Sequence, residues 1–202
     1  MEQTLKATAL VCTLSSSPKK SSSELLANEV LDELKKYDVE TQSFRVVDYN
    51  VKFGVQTDMG DGDEWPKLRQ AILESDILLI ATPIWMGQPS AVTKMVLERL
   101  DAELSETDDE GRPSMYGKVA AVAIVGNEDG AHHTSAEIFQ SLCDVGFTIP
   151  AGGPTYWVGE AMGGIDYQDL DHKPKKTAET TSILAANAAH LARLLKTDNY
   201  PY

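Results

Sequence analysis

The sequence predicts an α/β fold in which one parallel sheet carries helices on both faces, a doubly wound arrangement. Its 202 residues fit a single domain, since domains hold roughly 100–200 residues. Three short runs are apolar without interruption, which indicates strands that are covered on both sides, as in a parallel sheet. Segments with a helical period separate these runs. The runs are residues 7–13, 76–82 and 118–126.

The helical segments have the period of amphipathic helices, roughly 3.6 residues. In the first segment Leu26, Val30 and Leu34 fall on one stripe, and the serines before it can cap its first turn. Pro66 is tolerated in the first turn of the second helix, and Gly146 is suited to end the fourth. The predicted helices are residues 23–36, 65–74, 90–100, 135–145 and the alanine-rich segment 177–195.

Two further segments complete the predicted sheet. Residues 39–47 alternate loosely between apolar and polar side chains and predict the second strand in chain order. The fifth strand has two candidates, residues 147–149 and Pro154–Val158. A chain in which each strand is followed by a helix is typical of a doubly wound sheet.

A single domain over residues 1–202 leaves long irregular stretches at about residues 48–64, 104–116 and 152–174. Loops of this length in a compact domain are usually functional or mobile. The second stretch is acidic and polar, which indicates a solvated excursion. The third mixes aromatic side chains with glycines, which is more typical of a lid or an interface loop.

The charge balance excludes several classes of partner. The chain has 18 Lys and Arg residues against 31 Asp and Glu residues, a formal net charge of -13. Such an excess repels nucleic acid and anionic membrane surfaces, although a local anion pocket remains compatible with it. No secretory signal is recognisable, and no apolar stretch approaches the roughly 20 residues of a membrane helix. We therefore expect a cytoplasmic protein without membrane insertion and without a nucleic-acid partner.

Cysteine and histidine patterns give no metal site. Cys12 and Cys143 have no paired spacing, which excludes a disulfide framework and a cysteine zinc site. His133 shares a helical face with Glu137 at most, and a metal needs two or three more converging ligands. We expect no bound metal.

The loop after the first predicted strand combines features that suit a phosphate. In open α/β sheets ligands bind beyond the carboxyl ends of the strands. Residues 13–23 are rich in hydroxyl side chains, include two lysines and lead directly into a helix, whose first N–H groups attract anions. The glycines of the Walker and dinucleotide motifs are missing, which favours a mononucleotide monophosphate. Taken alone, the loop is equally consistent with a polar turn and a serine cap.

The loops after the third and fourth predicted strands suit a flat heterocycle. In residues 82–90 two prolines stiffen a turn that presents Trp85, and Gly87 permits a close approach. Residues 126–134 contain an amide, glycines and two adjacent histidines, which can hydrogen-bond the polar edge of a ring. The alternatives are that Trp85 belongs to the core and that Thr134 or Ser135 caps an ordinary strand-to-helix turn.

Segments 15–24, 81–101 and 125–150 resemble the flavodoxin-like superfamily, in particular the NAD(P)H-dependent FMN reductases and related quinone or flavin oxidoreductases. The second segment, ATPIWMGQPSAVTKMVLERLD, is the most specific, since it is similar to the family's Pro-x-Tyr/Trp loop followed by a small residue and a lysine-bearing helix. The resemblance implies a three-layer sandwich with a five-stranded parallel sheet in the order 2-1-3-4-5. It also implies FMN at the strand ends and a homodimer or homotetramer.

The resemblance assigns the matching residues to three parts of FMN. The phosphate would be held by Ser15, Ser17, Lys19, Ser22 and Ser23. The isoalloxazine ring would be lined by Pro83, Ile84, Trp85, Met86 and Gly87. The pyrimidine side or the ribityl chain would lie near Asn127, Gly130 and His133.

The implied function is an FMN-dependent oxidoreductase that takes hydride from NAD(P)H and passes electrons to a quinone, flavin or similar small acceptor. FMN carries the chemistry in such enzymes, so no catalytic side chain is expected. The alternative is a flavodoxin-type electron carrier without direct NAD(P)H reactivity, for which the net charge of -13 suits docking to a basic partner. A phospho-receiver is disfavoured because Thr13 and Thr82 stand where that class needs acidic residues.

Overall fold

The computed structural model describes residues 4–201, and its strands form one sheet. The strands are β1 (Leu5–Val11), β2 (Val39–Arg45), β3 (Ile77–Trp85), β4 (Gln88–Pro89), β5 (Val119–Gly126) and β6 (Pro154–Val158). The short β4 pairs antiparallel with the end of β3, and the other strands are parallel in the order β2-β1-β3-β5-β6. Counted among the parallel strands alone, this is the expected order 2-1-3-4-5, so the predicted fold class is confirmed. Residues 1–3 and 202 of the predicted domain lie outside the described residues.

Helices cover both faces of the sheet. They are α1 (Ser22–Lys35), α2 (Trp65–Leu73), α3 (Ala91–Leu100), α4 (Ala131–Asp144) and α5 (Lys175–Thr197). Buried side chains of α1 and α5 pack with one face of the sheet, and those of α2, α3 and α4 pack with the other. Within residues 4–201, no helix is long and apolar enough to cross a membrane.

The central strands are apolar throughout because both of their faces are buried. In β3, for example, Leu79 contributes to the core beneath α1 and α5, whereas Leu78 and Ile80 contribute to the core on the opposite face. The face towards α5 carries many alanines, which lets the alanine-rich helix approach the sheet closely. These alanines are Ala7, Ala9, Ala81, Ala121 and Ala123.

Two predicted boundaries are wrong in ways that matter for the site. The third strand does not end at residue 82 but continues to Trp85, because β4 folds back on it as a hairpin. The fourth helix begins at Ala131 rather than at residue 135, and its N-cap is Gly130 with φ 117° rather than Thr134 or Ser135. Both histidines therefore lie in its first turn. Of the two candidates for the fifth strand, Pro154–Val158 is correct, since Thr148 makes only an isolated bridge with Val119.

The irregular stretch before α2 is tied to the domain by a buried cation. Arg99 on α3 is fully buried and donates hydrogen bonds to the carbonyl oxygens of Lys52 and Gln56. It also forms a 2.8 Å ion pair with the buried carboxylate of Asp63 and lies 5.4 Å from the ring centre of Trp65. Because a buried charge is costly without a partner, these contacts fix the loop against the helix.

Candidate functional site

A cavity of about 470 Å³ lies beyond the carboxyl ends of β1, β3 and β5. Its size is typical of small-molecule sites, which hold roughly 300–1,000 Å³. The walls come from the loop after β1, the end of β3, the loop after β5 and the segment between β6 and α5. This is the sheet edge at which the sequence predicts a ligand.

One end of the cavity is the anion loop, which we define as residues 13–21 together with the first turn of α1. Ser21 caps the helix by accepting a 3.3 Å hydrogen bond from the N–H of Glu24. Ser22 and Ser23 follow as the first helical residues, so their N–H groups have no acceptor within the helix. Lys19 and Lys20 are exposed and line the same end. Free N–H groups, the helix dipole and two cations together favour a bound phosphate.

Two residues, one at the end of β2 and one three residues after it, brace the anion loop from outside the cavity. Arg45 is 6% exposed and donates to the carbonyl oxygens of Ser15 at 3.2 Å and Lys19 at 2.7 Å. Asp48 accepts hydrogen bonds from the N–H of Ser17 at 2.8 Å and from its hydroxyl at 2.6 Å. The bonds from Ser17 hold the pKa of Asp48 below its usual range. The sequence prediction missed Arg45 and Asp48, because nothing in the nearby sequence indicates which distant residues a charged side chain will contact.

The opposite end of the cavity is an aromatic shelf, which we define as residues Pro83, Ile84 and Trp85 with the hairpin turn that follows. The turn residues Met86 and Gly87 have φ values of 54° and 73°, a combination typical of tight two-residue hairpins. The side chain of Trp85 is 55% exposed and that of Met86 is 91% exposed. This end therefore presents a flat apolar surface that solvent and other molecules can reach.

The loop after β5 closes on the shelf by direct backbone contact. A Cβ atom on Gly130 would lie 2.8 Å from the Cα of Gly87, so only glycine allows the two loops to meet. The N–H of Met86 donates a 2.8 Å hydrogen bond to the carboxylate of Glu128, which lines the cavity. His133 instead faces the hairpin, with its Nε2 atom 2.8 Å from the Gln88 side chain and 3.5 Å from Glu137.

The lid segment, defined here as residues 159–170, crosses the cavity and is anchored on α1. The hydroxyl of Tyr167 donates a 2.7 Å hydrogen bond to Glu29, and the N–H of Gln168 donates to the hydroxyl of Ser22 at 3.2 Å. Burial, together with the bond to Glu29, raises the pKa of Tyr167 above its usual range. The lid thus contacts α1 both at its first residue, which belongs to the anion loop, and in its middle.

Two buried oxygen atoms in the cavity wall lack hydrogen-bond donors. Asn127 donates through its Nδ2 atom to Asp166 at 2.7 Å, but its Oδ1 atom is buried without a partner, as is the Oε1 atom of Gln168. Unpaired buried acceptors are unfavourable, so a ligand that brings hydroxyl groups between the two ends suits this wall. The ribityl chain of FMN has such hydroxyls.

The structure gathers most of the predicted site residues around this cavity. The residues that line it are Ser15, Lys19, Ser22, Ser23, Pro83, Ile84, Trp85 and Asn127. Those not among its lining residues, within the part of the chain that is described, are Ser17, Met86, Gly87, Gly130 and His133. The lining residues that the prediction did not name include Glu128, Asp166 and Gln168. Side chains from a distant loop give no local pattern by which they can be recognised.

A doubly wound sheet with an anion loop, an aromatic shelf and unpaired acceptors between them defines the class of flavodoxin-like, FMN-binding proteins. The family model described as NADPH-dependent FMN reductase matches residues 9–163, and the chain belongs to this family. Membership confirms the expected cofactor set, FMN with NAD(P)H, at the level of the family.

Two similar proteins from bacteria match nearly the whole chain. An 8-demethyl-8-aminoriboflavin-5'-phosphate synthase of Streptomyces davaonensis is 33% identical over 208 residues, covering 97% of this chain and 80% of the synthase. A divalent metal cation transporter, MntH, of Mycobacterium bovis is 33% identical over 199 residues, covering 95% of this chain. The chain spans only 29% of the length of that transporter.

A solved structure agrees closely with the fold. The crystal structure of RosB with the bound intermediate 8-demethyl-8-formylriboflavin-5'-phosphate superposes with a TM-score of 0.87 at 32% identity. The match covers 97% of this chain and 82% of RosB.

Proposed function

We propose that this protein is an FMN-dependent oxidoreductase that takes hydride from NAD(P)H and passes electrons to a quinone, flavin or similar small acceptor. The observation that carries the proposal is the difference in exposure between the two ends of the cavity. Trp85 and Met86 on the shelf are exposed, whereas the lid covers the anion end through its contacts with Ser22 and Glu29. A second flat molecule can therefore approach the ring end, while the lid restricts access to the phosphate end, where Lys19 and Lys20 remain exposed.

Each part of the cavity has a distinct binding role in this proposal. Ser22, Ser23 and Lys19 hold the phosphate, and Asn127 and Gln168 accept hydrogen bonds from the ribityl hydroxyls. The shelf residues pack against the ring. When bound, FMN supplies the hydride-transfer chemistry, and the protein positions it and tunes it. No side chain needs to act as a general acid or base.

The proposal includes the assembly and the location of the protein. Exposed apolar side chains belong to residues that line the cavity or to their neighbours in the chain, which suits a homodimer or homotetramer that covers part of them. They are Leu14, Trp85, Met86, Met162 and Ile165. We propose that the protein acts in the cytoplasm on small molecules, since its net charge of -13 disfavours nucleic acid.

The test is an anaerobic titration of the FMN-loaded protein with NADPH and NADH, followed by an acceptor screen. We expect one nicotinamide to bleach the visible flavin absorbance and a quinone or free flavin to restore it. If neither nicotinamide bleaches the protein but a separate reductase protein does, the chain is an electron carrier and the proposed hydride transfer is wrong.

A second candidate function follows from the relatives. The Streptomyces protein is named as a synthase of a modified riboflavin phosphate, and the RosB structure holds a flavin phosphate described as an intermediate. This likeness supports a second proposal, in which the cavity binds a riboflavin phosphate that is altered and released. Mass spectrometry of the flavin before and after turnover separates the two functions, because a resident cofactor keeps its mass and a substrate does not.

A further inference from the structure

The anion loop contains a carboxylate that opposes its proposed role. Glu24 is the third residue of α1, next to the free N–H groups that would bind the phosphate. A negative charge there stabilises the helix end, but it also repels a phosphate at close range. The loop therefore needs a compensating positive charge.

Arg45 provides that charge without reaching the cavity. Its Nε atom donates to Glu24 at 3.3 Å, and its Nη2 atom forms an ion pair with the other carboxylate oxygen. The Arg45 side chain is 4% exposed, and the residue is not among those that line the cavity. It therefore neutralises Glu24 from behind rather than binding a ligand itself.

The same guanidinium also holds two backbone carbonyls of the anion loop. Its Nη1 atom donates to the oxygen of Ser15 at 3.2 Å and to the oxygen of Lys19 at 2.7 Å. Carbonyl oxygens repel phosphate oxygens, so two of them that are occupied by a buried cation oppose the anion less. One planar group with several donors serves all three acceptors, which a lysine ammonium does poorly.

We propose that Arg45 is a positioning residue that sets the preference of the site for phosphorylated over unphosphorylated flavin. It does so by neutralising Glu24 and by fixing the carbonyls of Ser15 and Lys19. This inference rests on the proposed binding of FMN in the cavity. It assigns a role to a residue that does not itself line the cavity.

The test measures the dissociation constants of FMN and riboflavin for the wild type and for variants. Arg45→Ala is expected to reduce the preference for FMN about tenfold or more, the effect of losing a charge-assisted bond, with riboflavin binding changed less than about twofold. The preference of Arg45→Lys for FMN should lie between those of the wild type and Arg45→Ala. Glu24→Gln alone, which removes the opposing charge and keeps Arg45, should increase the preference about threefold.

A matched control is Arg193→Ala on α5, which removes another arginine that donates to a backbone carbonyl, that of Tyr37. It should leave the ratio of the two constants unchanged. Thermal melts verify that each variant is folded, and if Arg45→Ala does not fold, Arg45→Lys and Glu24→Gln still give shifts of opposite sign.

The inference would be overturned if the Arg45 variants lost affinity for FMN and riboflavin equally, or if the ratio of the two dissociation constants did not change. A decrease of the preference in Glu24→Gln would overturn it as well. A wild-type protein that binds neither flavin contradicts the proposed function itself, and with it this inference, so the two failures are distinguishable.

Discussion

The anion loop is braced from behind by buried charge, whereas the aromatic shelf at the other end of the cavity is open to solvent. Arg45 behind the loop is 6% exposed, and Trp85 on the shelf is 55% exposed. The lid adds to this contrast, because it donates hydrogen bonds to Ser22 and Glu29 of α1.

This difference separates selection of the ligand from access to it. On the proposed binding of FMN, the fixed, charged end is expected to discriminate between ligands that carry a phosphate and those that do not. The exposed apolar end is expected to contact the ring of either flavin and to leave room for a second molecule. Substitutions at the first end should therefore change the ratio of FMN to riboflavin affinity, and substitutions at the second should change both affinities together.

The largest effect is expected from Ser22→Asp. A carboxylate at the start of α1 repels the phosphate, so the dissociation constant of FMN should rise about 100-fold, while that of riboflavin stays nearly unchanged. The helix dipole favours an acidic residue at this position, so thermal stability should not fall. Fluorescence titration with both flavins measures the effect, and equal losses for the two ligands would place Ser22 away from the phosphate.

Trp85→Ala should lower the affinity for both flavins about tenfold, since aromatic stacking contributes roughly 1–3 kcal/mol. The ratio of the two affinities should stay at the wild-type value. Phe53→Ala, which removes another exposed aromatic ring at a residue outside the cavity lining, serves as the control and should have little effect. A change of the ratio in Trp85→Ala would show that the two ends are not independent.

Tyr167→Phe tests how much the contact between the lid and α1 stabilises the protein. The variant loses the 2.7 Å bond to Glu29, and we expect the free energy of unfolding to fall by about 1–2 kcal/mol. Tyr200→Phe, which loses an exposed neutral bond to Thr148, is the matched control and should cost less. Denaturant titration measures both, and equal costs would mean that the bond to Glu29 stabilises the protein no more than the exposed neutral bond does.

The pH dependence of this stabilisation has a definite sign. The pKa of Tyr167 is raised in the folded protein by burial and by the bond to Glu29. Its contribution is therefore complete below the unfolded pKa of about 10 and is lost as the pH rises above that value. The difference in stability between the wild type and Tyr167→Phe should shrink in that range.

The smallest effect is expected from Glu128→Gln. The variant keeps an oxygen that can accept from the N–H of Met86 but removes the negative charge from the cavity wall. Reduction adds negative charge to a flavin, so the affinity for reduced FMN should rise about threefold relative to oxidised FMN. Anaerobic titrations in both redox states measure this ratio. Asp129→Asn, at an exposed neighbour outside the cavity lining, should leave the ratio unchanged.

Local patterns predicted the parts of the site that lie in single loops. The hydroxyl-rich segment that leads into α1 pointed to Ser22 and Ser23, and the proline-flanked segment at the end of β3 pointed to Trp85. All three residues line the cavity. Their roles towards FMN stay predictions. Ser17 shows the limit of such patterns, since its hydroxyl donates to Asp48, and the sequence offers no means of choosing among neighbouring serines.

The sequence by itself determined that buried parallel strands alternate with helices, because continuous apolar runs and helical periods are local consequences of burial on two faces or on one. It also indicated the family, through the motifs in the loops that connect strands to helices. Only the tertiary structure decided which charges meet, as with Arg45 and Glu24, and which distant segment closes the cavity, as with Gln168 over Ser22. Such contacts join residues far apart in the chain, and they depend on the packing of the elements around the sheet rather than on any nearby pattern.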